Sequence, residues 1–141
     1  MNPSPLSFPP EADLEVIAQA KADKAKIKQQ HALQNLTIVV HGVEYDANDG
    51  SQLNMSALGA ISNWKFNQTV LDYLKSIQTP SEEMAGFTQM FSAAYDAQYK
   101  TNKVKWKGTD NKLHNVQVES VLEALERAVD QTSDIIQDGV T

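Results

Sequence analysis

The side chains able to carry acid–base or ligand chemistry are few and scattered. His31, His41 and His114 each lack a Glu or a second His at the helical spacing with which one helix face holds zinc. Cysteine is absent, which removes thiol nucleophiles, disulfides and thiolate metal sites. Ser62 and Thr69 have no flanking glycines that would build a nucleophile elbow. The glycines at 42, 50, 59, 86, 108 and 139 are dispersed, so no run of backbone amides is available to cradle a phosphate. The nearest approach to a cation loop is Asp46-Ala47-Asn48-Asp49-Gly50. Counted from Asp46 as the first position of a calcium loop, Gly50 falls fifth instead of sixth, and Ala57 stands where a bidentate Glu belongs. The same residues suit an Asx cap that joins a strand to a helix. The expected protein is therefore not an enzyme and has no cofactor and no metal. A small metal-dependent binding protein or enzyme built on this loop is the last alternative.

Two residue groups invite a ligand reading and have a simpler one. Trp64, Trp106, Phe66, Phe87 and Phe91 suit the core of a short chain better than a pocket, with Trp106 expected to anchor a hairpin on the final helix. Lys100, Lys103, Lys105, Lys107 and Lys112 cluster around a hairpin, where lysines protect a strand edge. The net charge of −6 opposes a nucleic-acid partner, because neutralising a phosphate backbone takes clustered cations.

The elements that must hold these residues are those of an α+β fold with two short β-hairpins, each followed by an amphipathic helix, plus an N-terminal Pro-rich arm and a long helix. Pro3, Pro5, Pro9 and Pro10 keep residues 1–10 extended, with Leu6 and Phe8 between them. Strong helix formers fill Glu11 to Asn35, but their apolar stripe, led by Leu14 and Ile17, is thin and Ala-rich. Leu36 to Asp46 alternates around a His41-Gly42 turn and reads as the first hairpin. Asn48 or Asp49 caps a helix that begins near Ser51 and carries Leu53, Leu58 and Ile61. Its stripe slips at Asn63 to Asn67, which predicts a kink before Val70, Leu71, Leu74 and Ile77 resume it. Thr79-Pro80-Ser81 turns into a helix bearing Phe87, Met90, Phe91 and Tyr95. Lys103 to Val118 is the second hairpin. From Val118 to Ile136 the i, i+3, i+4, i+7 pattern predicts an amphipathic helix on the sheet.

At 141 residues the chain fits one core with an appendage, divided here into an arm and docking helix (1–35) and a hairpin-helix body (36–141). No apolar run spans a bilayer, and the first residues lack the features of a signal peptide, so synthesis in a cytoplasm is expected. The Asn-x-Ser/Thr matches at Asn35, Asn54 and Asn67 are on that basis read as chance.

Tyr45-Asp46-Ala47-Asn48-Asp49-Gly50-Ser51-Gln52, with Met55 following, resembles the aromatic-Asp and Ser/Ala-Gln signature of an uncharacterised domain of tailed-bacteriophage tail and tail-fibre-associated proteins. Trp106-Lys107-Gly108-Thr109-Asp110-Asn111, with Val116, Val118 and a long helix after it, resembles that domain's second block. The resemblance implies a structural or accessory protein of a phage tail, baseplate or tail-fibre junction, located in the virion and made in the host cytoplasm. Its partners would be other tail or baseplate proteins, or copies of itself, and neither nucleic acid nor membrane. The arm and first helix are the expected docking elements, through Leu6, Phe8, Pro9, Pro10, Leu14 and Ile17. A tail-fibre assembly chaperone, absent from the mature particle, is the runner-up.

Overall fold

The computed structural model describes residues 11–77 and 80–140 and combines helices with two small antiparallel hairpins, the expected α+β class. The order is α1 (Glu11–Gln34), β1 (Thr37–Val40), β2 (Val43–Asp46), α2 (Asp49–Ser76), α3 (Pro80–Tyr95), a π-helical segment (Asp96–Thr101), β3 (Lys103–Lys107), β4 (Leu113–Gln117) and α4 (Val118–Val140). The arm, residues 1–10, lies outside the described residues, as does Thr79 of the expected turn.

Each hairpin is built by its turn. His41 and Gly42 both take left-handed backbone, with φ of +48° and +79°, as a two-residue turn matched to strand twist requires. This sets Ile38 opposite Tyr45 and Val40 opposite Val43. Ile38, Val40 and Tyr45 are buried while Val39 faces out, the alternation of a one-sided sheet. In the second hairpin Asn111 takes the left-handed position, with φ of +65°, and Trp106 stands opposite His114. Lys103, Lys105 and Lys107 are exposed on β3, as expected for an edge strand.

α4 closes the core. Val118 is fully buried at its start, and Val121, Ala124 and Ala128 are fully buried in one cluster with Ile38, Val40, Tyr45, Met55 and Val116, so both hairpins share one apolar centre beneath it. Within the span that the pattern makes amphipathic, Val129 and Ile136 are exposed. The buried line runs through Val121, Ala124 and Ala128, and the two small alanines let the helix sit close to β1 and α2.

α2 differs from its sequence reading. It is one unbroken 28-residue helix, with no break at Asn63 to Asn67. Met55, Ser62 and Phe66 are its buried residues and lie on one face, where Ser62 is small enough to continue the packed line between two large neighbours. Leu53 and Ile61, expected on the same stripe, are exposed on other faces. The slip in the pattern is thus a second apolar face and not a kink.

α3 and the π-helical segment cover the far end of α2 with aromatics. Phe66 meets Phe91 edge-on at 4.9 Å, and Tyr95 stacks on Tyr99 at 4.7 Å.

Candidate interaction surface

Of the expected docking residues, Leu6, Phe8, Pro9 and Pro10 lie outside the described residues, and Leu14 and Ile17 are placed on α1. These two are 54% and 48% exposed, one helical turn apart on one face. Val16 and Ile27 are exposed on the same helix. Among the described side chains of α1, only Gln29 and Leu33 are partly buried. Gln29 fastens the helix to the body by donating its side-chain amide to the carbonyls of Ile135 and Ile136, each at 3.3 Å. Asn35 then ends the helix by donating to the His31 carbonyl at 2.8 Å. The attachment of α1 therefore lies close to its C-terminal end, through the Gln29 amide and the partly buried Leu33. The apolar residues nearer its start remain in solvent.

Polar residues of the Asp46 to Gly50 loop and of the second turn are engaged in structure. Asn48 Oδ1 accepts the Ser51 amide at 2.9 Å, the N-cap of α2. Gln52 extends this junction by donating to the Ala47 carbonyl at 2.8 Å and to Thr132 Oγ1 of α4 at 3.1 Å. The Asp46 to Gly50 segment thus joins strand, helix and core. Among the described residues no three His, Asp or Glu side chains converge to hold a metal. His114 lies 2.9 Å from Asp110 at the second turn, and this contact, followed by the Lys112 amide, holds the Asp110 carboxyl below the usual range.

A cavity of about 300 Å³ opens between the hairpins and is lined by His41, Tyr45, Lys103, Asn115, Gln117 and Ser120. His41 Nδ1 is 3.1 Å from Ser120 Oγ, a contact that pins the first turn to the opening of α4. Tyr45 is fully buried and its hydroxyl has no hydrogen-bond partner among the described residues. Burial pushes the phenol pKa up and keeps it neutral.

Of the two tryptophans expected in the core, Trp64 departs from it while Trp106 packs against it. Trp64 projects from α2 with 62% of its surface exposed and is not part of the core. Trp106 is half-buried, packs against the core cluster that includes Val121, Ala124 and Ala128 of α4, and borders a cleft with Asp46, Ser51 and Asn54 at the start of α2. Sequence reasoning also missed Leu53, Trp64 and Leu71 as one exposed line along α2. Their separations of 11 and 7 residues, each a whole number of near-3.6-residue turns, were the available signal. Comparison with protein-family models, curated proteins and solved structures finds no match to this chain.

Proposed function

We propose that this chain is a structural or accessory protein of a phage tail, baseplate or tail-fibre junction, acting through protein–protein contacts and not through catalysis. The observation that carries the contact role is α1: a 24-residue helix with Leu14, Val16, Ile17 and Ile27 exposed and one polar fastening to the body. A helix with so little buried apolar area gains little from the body it is attached to, and a groove on a neighbour that receives Leu14 and Ile17 would supply the missing burial. The tail context rests on the two sequence blocks around Tyr45 and Trp106. In the structure both blocks are turn-and-cap segments that set hairpins against helices, a framework role consistent with a rigid module.

No described helix is long and apolar enough to cross a membrane, which is compatible with residence in a particle. The test is a protein inventory of purified particles, made with antibody to this chain, beside the same inventory from Leu14→Asp/Ile17→Asp particles. The reading expects the chain in wild-type particles and its loss from the variant ones. Absence from mature particles, combined with failure of fibre assembly when the chain is deleted, would select the assembly-chaperone reading instead.

A further inference from the structure

The exposed side of α2 carries a regular 3-4 repeat: Leu53, Ala57, Ala60, Trp64, Asn67, Leu71 and Leu74. All seven residues are exposed, with Leu53 at 72% and Trp64 at 62%. The face that packs on the body, through Met55, Ser62 and Phe66, lies on the opposite side of the helix. Alternating steps of four and three residues are the spacing with which one helix meets another in a coiled coil. The line therefore fits a helix, and its residues are exposed among the described residues.

We infer that a second copy of this chain covers it, with the two α2 helices antiparallel about a two-fold axis near Trp64. The residues are complementary to themselves in this direction. Antiparallel pairing sets Leu53 against Leu74 of the second copy, Ala57 against Leu71, Ala60 against Asn67, and the two Trp64 rings side by side at the axis. Ala57 and Ala60 thus each meet a larger residue on either side of the Trp64 pair. In a parallel, in-register pair Ala57 and Ala60 would face their own copies and leave voids on one side of the crowded Trp64 pair, which close packing disfavours.

Charge supports the same occupant. The chain carries a net −6, so an uncharged face is one on which two copies meet without adding like-charge repulsion at the contact. Between Leu53 and Leu74 the charged residues are Lys65 and Asp72, and neither belongs to the repeat. The residues flanking the seam, Asn54, Ser56, Asn63 and Gln68 among them, are neutral. The exposed faces of α1, by contrast, carry Asp13, Glu15, Lys21, Asp23, Lys24 and Lys26.

At 1.5 Å per residue the seam is about 32 Å long, and one helix pair of this length buries less than the roughly 800 Å² per partner of a standard interface. The dimer is accordingly concentration-dependent. It goes beyond the tail reading and does not rest on it.

Sedimentation equilibrium across a concentration series tests the pairing, and the absence of cysteine allows its direction to be tested as well. The expected mass rises toward twice the monomer's 15.6 kDa with concentration, and Trp64→Lys and Leu53→Lys each hold the chain at the monomer mass with unchanged helical content. In a mixture of Leu53→Cys and Leu74→Cys proteins, oxidation is expected to give the mixed disulfide in excess over either like pair. A monomer at every concentration overturns the inference, whether or not another protein is later found on α2. So does a dimer that both lysine variants leave intact, or a Leu53→Cys protein that cross-links chiefly to itself, the result for a parallel pair.

Discussion

The Thr109 amide donates to the Glu44 carbonyl at 3.0 Å, and this bond ties the turn of the second hairpin to the open edge of the first. The Thr109 hydroxyl also donates to the Glu44 carboxylate. The two hairpins form separate two-stranded sheets, so their relative placement depends on this junction and on the core beneath α4. Gly108 makes the approach possible. A Cβ there would lie 3.0 Å from the Glu44 carbonyl oxygen and 2.9 Å from Asp110 Oδ1. Gly108→Ala is expected to destabilise by about 1–3 kcal/mol, the usual cost of forcing a close-packed contact apart. Urea unfolding with an unchanged m-value checks it, and a wild-type midpoint would mean that the turn can shift without loss.

Tyr45→Phe is expected to leave stability unchanged or raise it, by up to about 1–2 kcal/mol. The ring supplies the core packing, while the buried hydroxyl gave up water without gaining a bond. Thermal melts of the two proteins decide the point. A loss above about 1 kcal/mol would show that the hydroxyl is satisfied in solution, for instance by a water in the neighbouring cavity.

The Asp110–His114 contact predicts a direction of pH dependence. The folded carboxyl titrates below its unfolded value, because it accepts from His114 and then from the Lys112 amide. A depressed acid pKa contributes stability above the unfolded value near 3.9, and that contribution fades as pH falls through the folded value. Asp110→Asn should therefore lose most at neutral pH and converge with wild type in acid. Denaturant midpoints measured from pH 7 down to about pH 3 test this, and a constant gap across that range would exclude ionisation as the cause.

Trp106→Ala is expected to cost less than the roughly 3–5 kcal/mol of a fully buried aromatic, since the ring is half-buried at the core edge. A loss in or above that range, read from denaturant unfolding, would mean that the ring is more deeply packed than its exposure indicates.

Elements whose chemistry is local were legible in the sequence. His41-Gly42 and Gly108 to Asn111 announce their turns through residues that tolerate left-handed backbone, and Asn48 announces a cap through a side chain that competes for backbone amides. α4 was legible because its apolar residues gather on one broad side of the helix, although Val129 and Ile136 at that side's margin stay exposed. α2 was not, because its two apolar faces overlap in sequence. Leu53 and Met55, or Trp64 and Phe66, stand two residues apart and face opposite sides, so one periodic stripe fitted to both shows a false slip at Asn63. The exposure of Trp64 was equally hidden, since a large aromatic in a short chain reads as core until the neighbouring elements are placed. The docking role of Leu14 and Ile17 was inferred from the thinness of a stripe. The structure places them in solvent, and their partner is a matter for experiment.

Removing Met1 to Asn35 is expected to leave a cooperatively folded body with a modestly lower melting temperature. Core residues begin after the cut: Leu36 packs at the core edge, and its carbonyl accepts the Ala47 amide at 2.8 Å. What the deletion takes from the described structure is chiefly the Gln29 bonds to the Ile135 and Ile136 carbonyls and the partial burial of Leu33. Exposed hydrogen bonds of this kind are worth about 0.5–1.5 kcal/mol each, and the two share one amide group. The end of α4 should fray in consequence, since Ile135 and Ile136 lose their cover while Val118 to Ala128 keep theirs. Amide exchange should accordingly quicken beyond Thr132 and stay slow from Val121 to Ala128. A truncated chain that melts without cooperativity would place α1 in the core and unite the two segments. A truncated chain that folds and still enters particles would move the docking surface from α1 onto the body.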